Sequence, residues 1–203
     1  EQRVAEPWRR RYADLRLNTH RHFSRLPGCA CPPGTGAFPS RDEIIRYLQD
    51  YGALYADLIE SGIKVVRLEP FRDCWRIQTS DGVRHARHVI IATGRERVPV
   101  IPQWPGINSF SGELIHAADF DRAERYCNRR VLVIGAGNSG VDVLNHLIRI
   151  QTRDLWVSIR NGTAIVPARF CGVAVQRLAG VMSLLPLRIT DVFLSITERL
   201  AFG

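Results

Sequence analysis

Gly135, Gly137 and Gly140 follow the apolar run Val131-Leu132-Val133-Ile134 at the spacing GxGxxG. That spacing suits a buried strand turning sharply into a helix around a pyrophosphate. Gly135 permits the tight turn, Gly137 lets the backbone approach the ligand, and Gly140 allows the helix to pack closely. Asn138 and Ser139 open the helix, whose first N–H groups and dipole favour an anion. About twenty residues on, an acidic side chain would bind a ribose 2′-hydroxyl, whereas a cation there accommodates a 2′-phosphate. The sequence places Arg160 at that point and Ser158 two residues earlier, so NADPH is expected in preference to NADH. A second small-residue end, Thr93-Gly94, closes the apolar run Val89-Ile90-Ile91-Ala92 and is expected to border a ligand crevice.

Other reactive side chains lack partners at useful spacing. His116 has no acidic neighbour and no second histidine at metal-ligand distance, so by itself it reads as a structural histidine. His20, His22, His85 and His88 likewise suggest no metal. The five cysteines, Cys29, Cys31, Cys74, Cys127 and Cys171, show no CxxC spacing and read as reduced thiols of a cytosolic protein. Cys29-Ala30-Cys31 could form a strained redox pair or half a metal site, but no second pair completes one.

The elements that must carry these residues can be read from periodicity. Ser40 with Glu43 forms a capping box ahead of Ile44, Ile45, Leu48, Tyr51, Leu54, Tyr55, Leu58 and Ile59, a helical pattern ending at Ser61-Gly62. Strands are expected over 63–68, 75–79 and 83–88, the last two joined by the Asp81-Gly82 turn, and a buried strand over 89–94. Prolines 99, 102 and 105 with Gly106 mark a linker. Beyond it, a strand over 131–134, a helix from Ser139 to about Ile150 and a strand over 155–160 compose a βαβ unit. Two apolar helices are expected around 173–187 and 192–202. The chain is thus expected to be α/β. The linker is expected to divide residues 1–105 from 106–203, the latter a Rossmann-like NADP-binding domain incomplete at its C-terminus.

Composition narrows the functions. The net charge of +8 is spread as about +5 in residues 1–100 and +3 in the rest, and Lys64 is the sole lysine among 28 basic residues. No basic stripe interleaved with aromatics emerges, which argues against nucleic acid, while a diffuse positive field favours a polyanionic cofactor. Apolar runs are interrupted before the roughly 18 residues of a spanning helix, so no transmembrane segment is expected.

Phe110, Gly112, His116 and Phe120 fall on the pattern FxGxxxHxxx(aromatic) between the Ala92-Thr93-Gly94 strand end and the glycine turn. This resembles the signature of the flavin-containing monooxygenases and their Baeyer–Villiger relatives. Phe120-Asp121 departs from the tryptophan usual in Baeyer–Villiger enzymes and tilts the likeness towards flavin-containing and YUCCA-type members. Trp8 to Tyr12, Leu15, Leu17, Phe38-Pro39-Ser40, Tyr47-Leu48 and Tyr51 extend it over essentially the whole chain.

The resemblance implies the two-dinucleotide-binding-domain flavoprotein fold, with residues 1–105 as part of its flavin-binding domain and FAD and NADPH as cofactors. It implies a flavin C4a-peroxide that oxygenates a small organic substrate with O₂: a soft nitrogen or sulfur centre, or a 2-oxo acid. Asn18 falls where flavin-containing monooxygenases carry an asparagine that stabilises the oxygenated flavin, and His116 would couple nicotinamide binding to domain movement. Asn18 and His116 are therefore the candidate catalytic residues. A family member should also carry a first GxGxxG ahead of the Trp8 segment and returning flavin-domain strands, so the chain is read as part of a longer enzyme. The alternatives are a non-catalytic, truncated NADP-binding homologue and an NADPH:flavin or disulfide oxidoreductase, for which CxC is a poor dithiol. A homo-oligomer is left open.

Overall fold

The computed structural model describes residues 2–94, 98–160, 168–170 and 172–202. Its contacts divide the chain into two units, Glu1–Arg11 with Ile44–Ala118 and Tyr12–Glu43 with Asp119–Gly203.

The first unit contains the short helix α1 (Glu6–Arg9), most of helix α2 (Arg41–Ala53) and an antiparallel sheet. The α2 residues Ile44, Ile45 and Tyr47 are buried. Gly52 lies against Val4, whose side-chain carbons would sit 3.1 Å from an added Cβ. The helix begins as expected. The backbone N–H of Ser40 donates to Glu43 Oε2 at 2.7 Å, and that of Glu43 donates to Ser40 Oγ at 3.3 Å. It ends earlier than the sequence suggests, at Ala53, with a separate 3₁₀ turn over Ala56–Leu58. Leu54 and Leu58 are 69% and 81% exposed, so the apolar stripe outruns the surface that could bury it.

The sheet is a meander of β1 (Val65–Phe71), β2 (Cys74–Thr79) and β3 (Gly82–Ala86) in the order β1-β2-β3. Thr79 pairs with Gly82 across the Ser80-Asp81 turn. The strand expected over 89–94 does not form. Those residues have no regular structure, and Ile90 and Ile91 are 91% and 73% exposed. A strand buried on both faces exists only between hydrogen-bonded neighbours, and among the described residues none pairs with this run. The proline-rich stretch after residue 97 is without helix or strand until the 3₁₀ turn Ile107–Ser109.

The second unit is built on β4 (Arg130–Ile134), helix α3 (Asn138–Leu147) and β5 (Asp154–Ser158). β4 and β5 pair in parallel, from Arg130 opposite Asp154 to Ile134 opposite Ser158. Val131 and Val133 are half-buried while Leu132 and Ile134 are exposed. Val143 and Leu147 of α3 are buried, as are Phe120 and Ala123. Phe120 stacks on Tyr126 at 5.7 Å and meets Tyr12 edge-on at 6.0 Å. The chain continues through β6 (Arg169–Phe170), β7 (Val173–Ala174), a 3₁₀ turn (Val175–Leu178), α4 (Ala179–Met182) and α5 (Leu187–Phe202). The single helix expected over 173–187 is thus broken into pieces. Ala174 and Val175 are buried while Leu184 is 85% exposed, so no continuous apolar face holds 173–187 as one helix. α5 begins five residues ahead of Val192, directly after Pro186, a residue compatible with a helix start but not with its interior. Among the described residues no helix is long and apolar enough to cross a membrane.

Candidate functional site

The glycine turn has the geometry its spacing predicts. Gly135 has φ +96°, a left-handed conformation that strains any residue with a Cβ. Its N–H donates to Ser158 O at 2.8 Å, which fastens the turn to the end of β5. At Gly140 an added Cβ would run into the carbonyl oxygen of Gly135 and stand 3.0 Å from its carbon, so the first turn of α3 rests on backbone with no room to spare. Gly137 is different. Its φ of −74° suits any residue, and no atom of the described residues lies within 4 Å of an added Cβ. Neither the backbone angle nor the packing of the described residues requires glycine there, so a side chain at this point would clash only with a ligand.

Gly137 caps α3 without a side-chain hydrogen bond, and no acidic residue occupies the first turn. The N–H groups of the first turn, carried by the exposed Asn138 and Ser139, therefore face no competing anion on their own helix. Ser158 ends β5 opposite Ile134, the last residue before the turn, and the exposed Arg160 follows it two residues on. This set fits a dinucleotide: room at Gly137 for a pyrophosphate, uncapped donors, and a cation beyond β5. One turn further along α3, partial burial raises the pKa of Asp142, opposed by the charges of His146 and Arg149.

Asn18 occupies a segment held on both sides. On one side, the N–H groups of Leu17 and Arg21 donate to Pro39 O and Ala37 O, each at 2.8 Å, next to the bridge between Arg16 and Ser40. On the other, the amide of Gln176 spans the turn. Its Nε2 donates to Asn18 O at 2.7 Å, and its Oε1 accepts from the N–H of His20 at 2.6 Å. The Asn18 side chain is exposed. His20 is buried, and its Nδ1 accepts from the N–H of His22 at 3.2 Å. Burial, reinforced by Arg177, Arg21, His22 and Arg169, holds the His20 pKa below its ordinary value. Gln176 follows no motif and no sequence signal marks it, because its partners lie 156 and 158 residues away.

The FxGxxxHxxx(aromatic) residues have separate physical tasks. The Phe110 ring lies on Gly112, where an added Cβ would come within 2.7 Å of a ring carbon. Nδ1 of His116 accepts from the N–H of Ala118 at 3.1 Å and caps the 3₁₀ turn Ala117–Asp119. Phe120 is a core residue of the second unit. Thr93 and Gly94 are exposed, Gly94 with φ +83°, and they belong to the first unit while the glycine turn belongs to the second. The Cys31 thiol donates weakly to Arg21 O at 3.6 Å and that of Cys29 to Ala30 O at 3.8 Å. Among the described residues no group of His, Cys, Asp and Glu could hold a metal. Cys171 lies outside the described residues.

A parallel β–α–β joined through a glycine-lined, uncapped helix start defines an α/β dinucleotide-binding protein, here of the flavoprotein type with two dinucleotide-binding domains. Residues 30–163 match the pyridine nucleotide-disulphide oxidoreductase family, and the chain belongs to it. Its likeness within that family is to the flavin-containing monooxygenases. The chain is 30% identical over 98% of its length to the probable indole-3-pyruvate monooxygenase YUCCA4 of Arabidopsis thaliana, of which it covers 49%. With YUCCA1 of the same plant the identity is 31%, over 98% of this chain and 50% of that protein. A solved flavin-containing monooxygenase from Stenotrophomonas maltophilia shares the fold with a TM-score of 0.69 at 30% identity, over 76% of this chain and 47% of that one. The chain therefore spans about half the length of the curated relatives it matches.

Proposed function

We propose that the chain carries the NADP site and part of the flavin site of an NADPH-dependent flavin monooxygenase that oxygenates a small organic substrate with O₂. The observation that carries this reading is the space left at Gly137 by the described residues, at an uncapped helix start whose preceding glycine turn is tied to Ser158 through Gly135. The similarity to flavin-containing monooxygenases supports the flavin and the oxygenation. FAD, when bound, supplies the redox chemistry between NADPH, O₂ and substrate.

The protein's own groups bind and position. Gly135, Gly137 and Gly140 with the N–H groups of Asn138 and Ser139 receive the pyrophosphate of NADPH, and Arg160 with Ser158 receives the 2′-phosphate. Thr93 and Gly94 border the flavin. Asn18 presents its amide to the reacting face as a hydrogen-bond donor. His116 fixes the start of the 117–119 turn through Nδ1, which leaves Nε2 to answer nicotinamide binding. Residues 1–105 serve as the flavin side and 106–203 as the NADP side. The names of the relatives favour a 2-oxo acid substrate, with nitrogen or sulfur centres as the broader class. The thiols fit a cytoplasmic protein.

Purified full-length protein should be yellow, oxidise NADPH faster than NADH, and consume O₂ with transfer of one labelled oxygen atom to a 2-oxo acid or amine. A colourless protein that binds NADPH without consuming O₂ would show a non-catalytic nucleotide-binding homologue instead.

A further inference from the structure

Asn18 reaches solvent from a turn whose backbone is clamped by one distant side chain. The two hydrogen bonds of Gln176, at 2.7 Å to Asn18 O and 2.6 Å from His20 N, use both ends of one planar amide. A primary amide offers donor and acceptor in a fixed relation, so the residue spaces residues 18 and 20 as a neighbouring strand would. The opposite edge is already occupied: Leu17 and Arg21 donate to Pro39 O and Ala37 O. The groups left on the other edge, Asn18 O and His20 N, are the ones Gln176 takes.

Gln176 is itself fixed. It lies in the 3₁₀ turn Val175–Leu178, directly after buried Ala174 and Val175. Around the clamp, the guanidinium of Arg169 stands 5.5 Å over the Phe38 ring, and Phe38 meets buried His20 edge-on at 6.1 Å. The His20 ring accepts from His22 N and so ties the next two residues of the turn to the same buried side chain.

We infer that Gln176 is a positioning residue for Asn18, through which the segment after residue 168 sets the presentation of the Asn18 amide. This rests on the assignment of Asn18 to the reacting face. Loss of the clamp frees two backbone groups of the turn and lets the Asn18 side chain sample many orientations, while the NADP site around Gly135 and Arg160 is untouched.

The test uses the full-length, FAD-loaded enzyme with NADPH and O₂ and no organic substrate, so that peroxide release reports how poorly the reduced site holds activated oxygen. Gln176→Met should speed hydrogen exchange at the His20 amide by about ten-fold or more. It should also raise peroxide-forming NADPH oxidation several-fold, with the KM for NADPH unchanged. Gln176→Glu keeps an acceptor for His20 N and loses the donor to Asn18 O, so it should leave His20 protected while leaking peroxide as the Met variant does. It also supplies the decisive reading if Gln176→Met does not fold. Combined with Asn18→Ala, neither substitution should add leakage beyond that of Asn18→Ala itself. Additive leakage, wild-type peroxide release by Gln176→Glu, or unchanged His20 exchange in Gln176→Met would overturn the inference. An Asn18→Ala enzyme that leaks no more than wild type would overturn the assignment of Asn18, and with it the purpose given to the clamp, although His20 exchange would still read the clamp itself.

Discussion

The runs 131–140 and 89–94 look alike in sequence: each is a β-branched apolar stretch that closes on small residues. In the folded chain the first is a strand, a left-handed glycine turn and a helix, while the second has no regular structure and exposes its isoleucines. The difference lies in the partners each run finds. Twenty residues after β4 the chain supplies β5, and α3 between them packs against β4, whose Val131 and Val133 are half-buried. Nothing among the described residues pairs with 89–94. A strand's hydrogen bonds belong to its neighbours, so a βαβ unit carries its own condition for existence and an isolated apolar run does not.

The largest expected effect breaks the intact region. Gly140→Ala drives a methyl into the Gly135 carbonyl and should cost about 3 kcal/mol of stability, the upper end for overpacking. Thermal unfolding should show a lowered Tm and NADPH binding should be lost with it. Gly137→Ala separates ligand from fold. Its methyl meets no atom of the described residues, so stability should stay within about 0.5 kcal/mol while NADPH binds more than about ten-fold more weakly, as titration would show. Equal losses at both glycines would mean that the space at Gly137 is not a ligand's. Arg160→Glu should weaken NADPH by about ten-fold or more and leave NADH nearly unaffected, since a charged partner contributes about 1.5–3 kcal/mol. Parallel losses for the two nucleotides would remove Arg160 from 2′-phosphate recognition. The smallest effect belongs to the exposed run: Ile91→Ser in the 203-residue chain should move the urea midpoint by the equivalent of no more than about 0.5 kcal/mol. A larger change would show that 89–94 is paired in solution.

Much of the architecture was legible because its causes are local. The capping box of Ser40 and Glu43 spans three residues, and both of its hydrogen bonds form. The β4–α3–β5 unit arises where the period changes from strand to helix and back. The failures share the opposite character. The stripe that continues through Leu54 and Leu58 is helical in pattern, but helix length is decided by the surface it can bury. The apolar stretch 173–187 breaks into short pieces for a similar reason, because apolar content alone does not say which residues share a core.

The sequence by itself determined the dinucleotide turn, since Gly135 and Gly140 are demanded by a backbone angle and a contact with backbone five residues away. It also carried the family likeness, with Phe110, Gly112, His116 and Phe120 on the family's signature, and it raised the expectation of NADP from Arg160. Only the tertiary structure decided that Gly137 faces open space, that Nδ1 of His116 caps a turn, and that Gln176 holds the backbone of Asn18 and His20 from more than 150 residues away. The physical reason is range. Backbone angles and caps are fixed by residues a few positions apart, whereas a clamp or an empty volume exists only after distant segments have packed.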